Sequence, residues 1–267
     1  VSKTEKGSKY RCLLATSYAR PKIHEFLVGI CRPLKVTVTD DDEYFPQGFE
    51  KAKELILTSD NAKSFFEDKF PEIGFKKIKE KIKDNWWLTP KKGGNTPNWD
   101  LVSSCTLDNG DKALIIVEAK AHKGELDKSG KKLKSDASAD SKANHESIKK
   151  AIEEANDGLN KAYGSKRFDI SVDKCYQLSN RFAFAWKLAE LEIPVILVYL
   201  GFINATEMDN YFDDYDDWKE ALLKHSKGII PEEVWNNGPI KIDKTPIHPI
   251  CKIVDIQAVP DIKEIHP

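Results

Sequence analysis

Cysteine is scarce in this chain: five in 267 residues, an odd number, with no C-x-x-C pair. Cys12, Cys31, Cys105, Cys175 and Cys251 are scattered, and Cys105 and Cys175 fall in or beside apolar patterns. Such usage argues against a disulfide scaffold and a zinc knuckle, and fits small buried hydrophobes in a reducing compartment. Long apolar runs are also missing. The longest, Ile193 to Phe202, is broken by Pro194 and Gly201, well short of the roughly 18–20 residues that cross a bilayer. The opening Val-Ser-Lys-Thr-Glu-Lys has no apolar stretch of the signal-peptide kind. A soluble, cytoplasmic protein with no membrane partner is expected. Neither charge is in excess, with 42 Lys+Arg against 43 Asp+Glu and a formal net charge of -1, so the bulk balance names no polyanionic partner. A glycine-rich phosphate loop, a G-x-S-x-G elbow and an H-E-x-x-H helix are absent as well, which leaves the corresponding nucleotide, serine-hydrolase and zinc chemistries without support.

The charge that is present is unevenly placed. Residues 76–92 hold seven lysines against Glu80 and Asp84, while residues 207–220 hold seven acids against one lysine. The first stretch suits either a phosphate-facing surface or an ordinary solvated face.

Residues 10–30, broken by Pro21, predict short helices, and Leu34 to Thr39 a strand. Gly48 to Phe70 has helical spacing with a break and N-cap at Thr58-Ser59-Asp60; Phe75, Ile78 and Ile82 continue it, and Trp86 to Thr89 could form a short strand. Trp99 to Leu107 and Lys112 to Ala119 flank Asp108-Asn109-Gly110, a strong hairpin signal. Residues 123–142 are polar and predict a mobile loop. Ile148, Ile152, Ala155, Leu159 and Ala162 lie on one helical face, a second helix spans about Asp173 to Leu191, and Pro194 to Leu200 is a buried strand. This order predicts an α/β fold with helices covering the sheet. The chain divides into an N-terminal extension (1–47), a core (48–202) and a C-terminal extension of unread role (203–267).

Acid-x-Lys occurs five times, at 67–69, 118–120, 140–142, 217–219 and 261–263. Only Glu118-Ala119-Lys120 ends a hydrophobic strand, Ala113 to Val117. Charges there are desolvated at a cost unless they have partners or a metal. Strand alternation puts Glu118 and Lys120 on one face. Asp100, on the partner strand, joins them only in one register. A two-residue Asn109-Gly110 turn would pair Asp100 with Ala119 and point it away. A three-residue Asp108-Asn109-Gly110 loop pairs Asp100 with Glu118 and wants a left-handed third residue, which Gly110 supplies. The three-residue form is predicted. Two carboxylates facing each other would hold a hard cation, Mg²⁺ or Mn²⁺. A lysine beside it can orient an attacking water and offset charge on a phosphorane-like transition state.

The pattern Pro97-Asn98-Trp99-Asp100, seventeen residues, then Glu118-Ala119-Lys120 resembles the PD-(D/E)XK nuclease superfamily, which includes restriction endonucleases and Holliday-junction resolvases. Trp99 stands where that pattern usually has proline, with Pro97 two residues earlier. The resemblance implies a restriction endonuclease-like core over roughly 48–202, a central mixed sheet with helices on both faces. It implies Asp100 and Glu118 as metal ligands, aided by the Ala119 carbonyl, and Lys120 serving the nucleophilic water. Gln177 is similar to a helix glutamine that some branches place near the metal, and Asp100, Glu118, Lys120 and Gln177 form the expected catalytic set. A helix-end hydrogen bond is the alternative for Gln177, and an ion pair is the alternative to phosphate binding for Arg181, which shares its face. A leading-helix glutamate would be Glu50, Glu54 or Glu80. His122, and Asn144 with His145, could approach the cleft or act locally as caps. Trp86 and Trp87 beside Lys91 and Lys92 could stack on bases or pack in the core. The expected function is a Mg²⁺-dependent deoxyribonuclease of the restriction or defence kind acting on double-stranded DNA, for which a homodimer would suit two-strand cutting. The alternative is an inactive nucleic-acid-binding or scaffold protein on the same fold.

Overall fold

Apolar, β-branched runs form the centre of the sheet in a computed structural model that describes residues 6–88 and 94–257. The first half runs through helices α1 (Gly7–Ala15) and α2 (Arg20–Cys31), strands β1 (Val36–Thr37), β2 (Tyr44–Phe45) and β3 (Leu55–Ile56), then helices α3 (Lys63–Lys69) and α4 (Gly74–Ile78). A π-helical segment (Lys79–Trp87) continues α4, and strands β4 (Asn98–Trp99), β5 (Leu101–Leu107) and β6 (Lys112–Lys120) follow. Next come helices α5 (Ala139–Tyr163) and α6 (Tyr176–Glu190), strand β7 (Val195–Ile203), helix α7 (Tyr215–Ser226) and strands β8 (Ile240–Ile242) and β9 (Thr245–Asp255).

The sheet order is β1-β5-β6-β7-β9-β8, with β2 also on β5. β5 and β6 are antiparallel, β6, β7 and β9 parallel, and β8 antiparallel to β9, so the sheet is mixed and the fold α/β. Strand alternation divides the core into two layers. Leu114, Ile116, Leu197 and Tyr199 face α5, α6 and the π-helical segment. Ala113, Ile115, Val117, Ile196, Val198 and Leu200 face α1 and α2 through Cys12, Ile23, Leu27 and Ile30. Helices therefore cover both faces, as the apolar patterns predicted. All five cysteines are free and buried, and no helix among the described residues is long and apolar enough to cross a membrane. The flanking stretches both enter this sheet: β1 and β2 pair with β5, and β9 lies against β7 over Val195–Ile203.

The hairpin takes the three-residue form. The Leu107 N–H donates to Asp111 O at 2.9 Å, the Gly110 N–H to Leu107 O at 2.9 Å, and Gly110 has φ 90. The ladder ends with Leu101 paired to Val117, in the register of the three-residue loop, and Asp100 and Glu118 are the residues just beyond that pair.

Four local expectations are corrected. Residues 48–57 are not helical: Leu55 and Leu57 are buried and Ile56 less so, a period-two pattern, and β3 pairs with β4. The helical spacing of Phe49, Ala52, Leu55 and Ile56 is overridden by that pairing. Trp86 and Trp87 end the π-helical segment and form no strand. Residues 126–131 are tied down rather than free, since Lys128 O and Ser129 O accept the N–H groups of Cys175 and Tyr176 at 2.9 and 3.0 Å. Helix α5 starts at Ala139, where the Ser138 side chain accepts the Ser141 N–H, so Asn144 and His145 lie inside the helix and do not cap it. Pro21, by contrast, sits in the first turn of α2, where its missing N–H breaks no helical bond.

A side chain added at Gly110 meets nothing within 4 Å, so its cost is confined to the backbone. Gly110→Val is expected to destabilise the protein by about 1–2 kcal/mol, read as a lowered urea midpoint at unchanged m-value. An unchanged midpoint would show that the turn does not need glycine.

Candidate active site

Glu118 is a deeply buried charge, 1% exposed at the end of an apolar strand. Two cations hold it. Lys120, on the same strand face, contacts Oε1, and Arg181 Nε from α6 contacts Oε2. Arg181 is itself buried, its guanidinium 4.5 Å from the Trp99 ring centroid and its Nη1 donating to Asn180 Oδ1 at 2.9 Å. Lys120 Nζ also donates to Gln177 Oε1 at 2.8 Å. The four-residue spacing of Gln177 and Arg181 brings both from one helix face onto the pair.

Asp100, half-buried between β4 and β5, accepts the Ala119 N–H at 2.7 Å. Asp100, Glu118, Lys120 and Gln177, the four expected site residues, thus meet at one sheet end. They line an open cleft of about 840 Å³, with Asn98, Glu125, Asn180 and Arg181 among the other walls.

The electrostatics separate the two carboxylates. Burial raises the Asp100 carboxyl and the adjacent Glu118 charge raises it further, to about 7. Burial also pushes Glu118 up, but Arg181 and Lys120 outweigh it and hold this carboxyl below its ordinary value. Glu118 is the ionised member at neutral pH, and Asp100 is poised near half-protonation. Burial and the Lys120 charge press His225 of α7 down to about 4, so its imidazole is neutral at neutral pH.

No known protein family, curated protein or solved structure matches the chain. The geometry alone carries the functional argument.

Several sequence candidates fall elsewhere. His122 accepts the Gly124 N–H at 3.2 Å and caps the short helix Lys123–Glu125; it is not a cleft residue. His145 Nε2 lies 2.9 Å from Lys131 O. Trp87 packs edge-on against Phe184 at 4.7 Å and is 1% exposed, so the pair Trp86-Trp87 is core rather than a stacking surface. Lys91 and Lys92 lie outside the described residues. Of the three leading glutamates, Glu50 and Glu80 are exposed. Glu54 bonds Asn98 at 3.3 Å and pairs with Lys9 at 3.1 Å, which sets it at the cleft wall. Sequence reading missed Glu125. Its carboxylate accepts the Ala121 N–H and, at 2.8 Å, the Ser8 hydroxyl, fixing the strand end beyond Lys120. The signal was the His122-x-x-Glu125 capping pattern after the strand.

Two variants test this arrangement. Arg181→Met leaves Glu118 buried with one partner and is expected to cost about 3 kcal/mol in chemical denaturation; a loss below about 1 kcal/mol would mean that Lys120 suffices. For Asp100, an unfolded carboxyl titrates near ~4, so between about 4 and 7 only the folded protein holds the proton. Folding therefore weakens as pH rises through that window. In EDTA, Asp100→Asn should melt like wild type near pH ~4 and gain on the order of 2 kcal/mol over it by pH ~8. A pH-independent difference would place Asp100 outside this electrostatic pair.

Proposed function

We propose that the protein is a metal-dependent nuclease that hydrolyses DNA phosphodiester bonds, built on a restriction endonuclease-like core and acting in restriction or genome defence. The observation that carries this reading is the meeting of Asp100, Glu118, Lys120 and Gln177 at one sheet end, open to a cleft. Among the described residues no group of three or more His, Cys, Asp or Glu side chains could hold a metal. An ion here would draw on Asp100, Glu118 and the Ala119 carbonyl. That oxygen set suits Mg²⁺ or Mn²⁺, which keep several waters of their own. The raised Asp100 carboxyl fits the same assignment, since a bound cation would offset the Glu118 charge that adds to burial in lifting it. When bound, the metal would supply Lewis-acid stabilisation of the phosphate and acidify a coordinated water.

The chain's own groups divide the remaining work. Gln177 fixes the Lys120 ammonium, which is placed to orient the attacking water and to offset charge on the transition state. Arg181 keeps Glu118 ionised. One observation favours a second reading, a nucleic-acid-binding scaffold without turnover: both Glu118 oxygens are already held by cations, so the network stands without a metal.

Supercoiled plasmid incubated with Mg²⁺, Mn²⁺ or EDTA separates the two. Wild type should nick or linearise it only with metal, and folded Lys120→Ala should be slower by at least about 100-fold. Cutting by Lys120→Ala at the wild-type rate would refute the site. Metal binding by wild type without cutting would favour the scaffold.

A further inference from the structure

Aromatic side chains are exposed close to this cleft. Among the described residues the large hydrophobics left exposed are Tyr18 at 50%, Phe49 at 48% and Leu133 at 42%. Tyr18 and Phe49 belong to one patch. Gly48 is pressed on Ser17, leaving only 2.6 Å between a Cβ position and Ser17 Oγ, and its N–H donates to the Thr16 hydroxyl at 3.1 Å. That contact brings together the two backbone segments that lead into Tyr18 and Phe49. The Tyr10 ring lies 5.3 Å from that of Phe49 at 51°. Cations accompany the rings: Lys22 Nζ is 5.5 Å from the Tyr18 centroid, and Lys9 and Lys51 are exposed beside Tyr10 and Phe49 in sequence. The patch also continues into the cleft. Ser8, two residues before Tyr10, lines the cleft, and Lys9 reaches Glu54, which bonds the cleft residue Asn98.

We propose that Tyr10, Phe49 and Tyr18 form a stacking platform for unpaired bases, so that the preferred substrate carries a single-stranded arm running out of the cleft over α1. Three features select this occupant. Half-exposed rings accompanied by lysines match how single strands are held, by base stacking and backbone charge. The rings of a blunt duplex are already stacked on one another and offer no comparable face. The rings also leave the core intact: Tyr18 and Phe49 are half exposed, so burial does not account for them. The inference rests on the nucleic-acid substrate proposed above and specifies its form.

The test uses the full chain in EDTA, with fluorescence anisotropy of a labelled oligo-dT of about 20 nucleotides and of a blunt duplex of about the same length. Tyr18→Ser/Phe49→Ser should bind oligo-dT at least about tenfold more weakly than wild type. Its duplex affinity should change by less than about threefold, with an unchanged melting temperature. Equal oligo-dT affinity in the variant would overturn the platform, as would failure of wild type to bind oligo-dT. A variant that changes sedimentation would overturn it too, making the patch an interface between protein copies. Loss of oligo-dT binding in the variant, with no plasmid cutting by wild type, would support the platform while refuting the nuclease. Cutting without such a loss would do the reverse.

Discussion

The buried carboxylate of Glu118 constrains everything around it. An apolar strand delivers it to a position 1% exposed, where an unpaired charge would cost several kcal/mol. Lys120 comes at no topological expense, two residues along the same face. Arg181 does not: α6 must cross this sheet end at a fixed height and rotation to bring its guanidinium to Oε2. Once α6 is set there, Gln177 is one turn away and meets Lys120, and Trp99 closes over Arg181. The packing of α6, β4 and β6 and the polar constellation are thus one arrangement.

That arrangement also explains the asymmetry between the two acids. Glu118 has both oxygens paired with cations and is held ionised. Asp100 has a single backbone donor, and burial, with its neighbour's charge added, lifts its carboxyl to about 7. Groups tuned apart in this way are a recurring property of sites that bind cations or move protons, although structural ion pairs produce it as well. An open cleft over this pair is harder to account for as architecture alone.

Around the site, support is layered. Glu125 ties the end of β6 to α1 through Ser8, and Arg11, fully buried, joins Glu207 and the Ile256 carbonyl. The N-terminal helix is therefore clamped between the strand that carries Glu118 and Lys120 and the segment after β7. Residues far apart in sequence fix one wall of the cleft, and the exposed rings beside α1 inherit their position from the same clamp.

Much of this was legible in the residues. The apolar run into Glu118-Ala119-Lys120, the hairpin with glycine third in its loop, and the four-residue step from Gln177 to Arg181 each encode local geometry, because strand period, turn conformation and helix pitch are short-range properties. Those local rules suffice to set Asp100 and Glu118 just beyond the last pair of the ladder. They fail where long-range pairing outweighs local spacing: residues 48–57 have helical periodicity yet form turns and the short strand β3 beside β4, and the polar stretch after β6 is pinned by the distant segment that leads into α6. The sequence by itself determined which charges share a strand face and which share a helix face. Only the tertiary structure decided that Arg181 neutralises Glu118, that Glu54 rather than Glu50 or Glu80 reaches the cleft wall, and that Trp86 and Trp87 are core. Each of those depends on how separate elements pack, and a periodicity within one element carries no information about its neighbour's height or rotation.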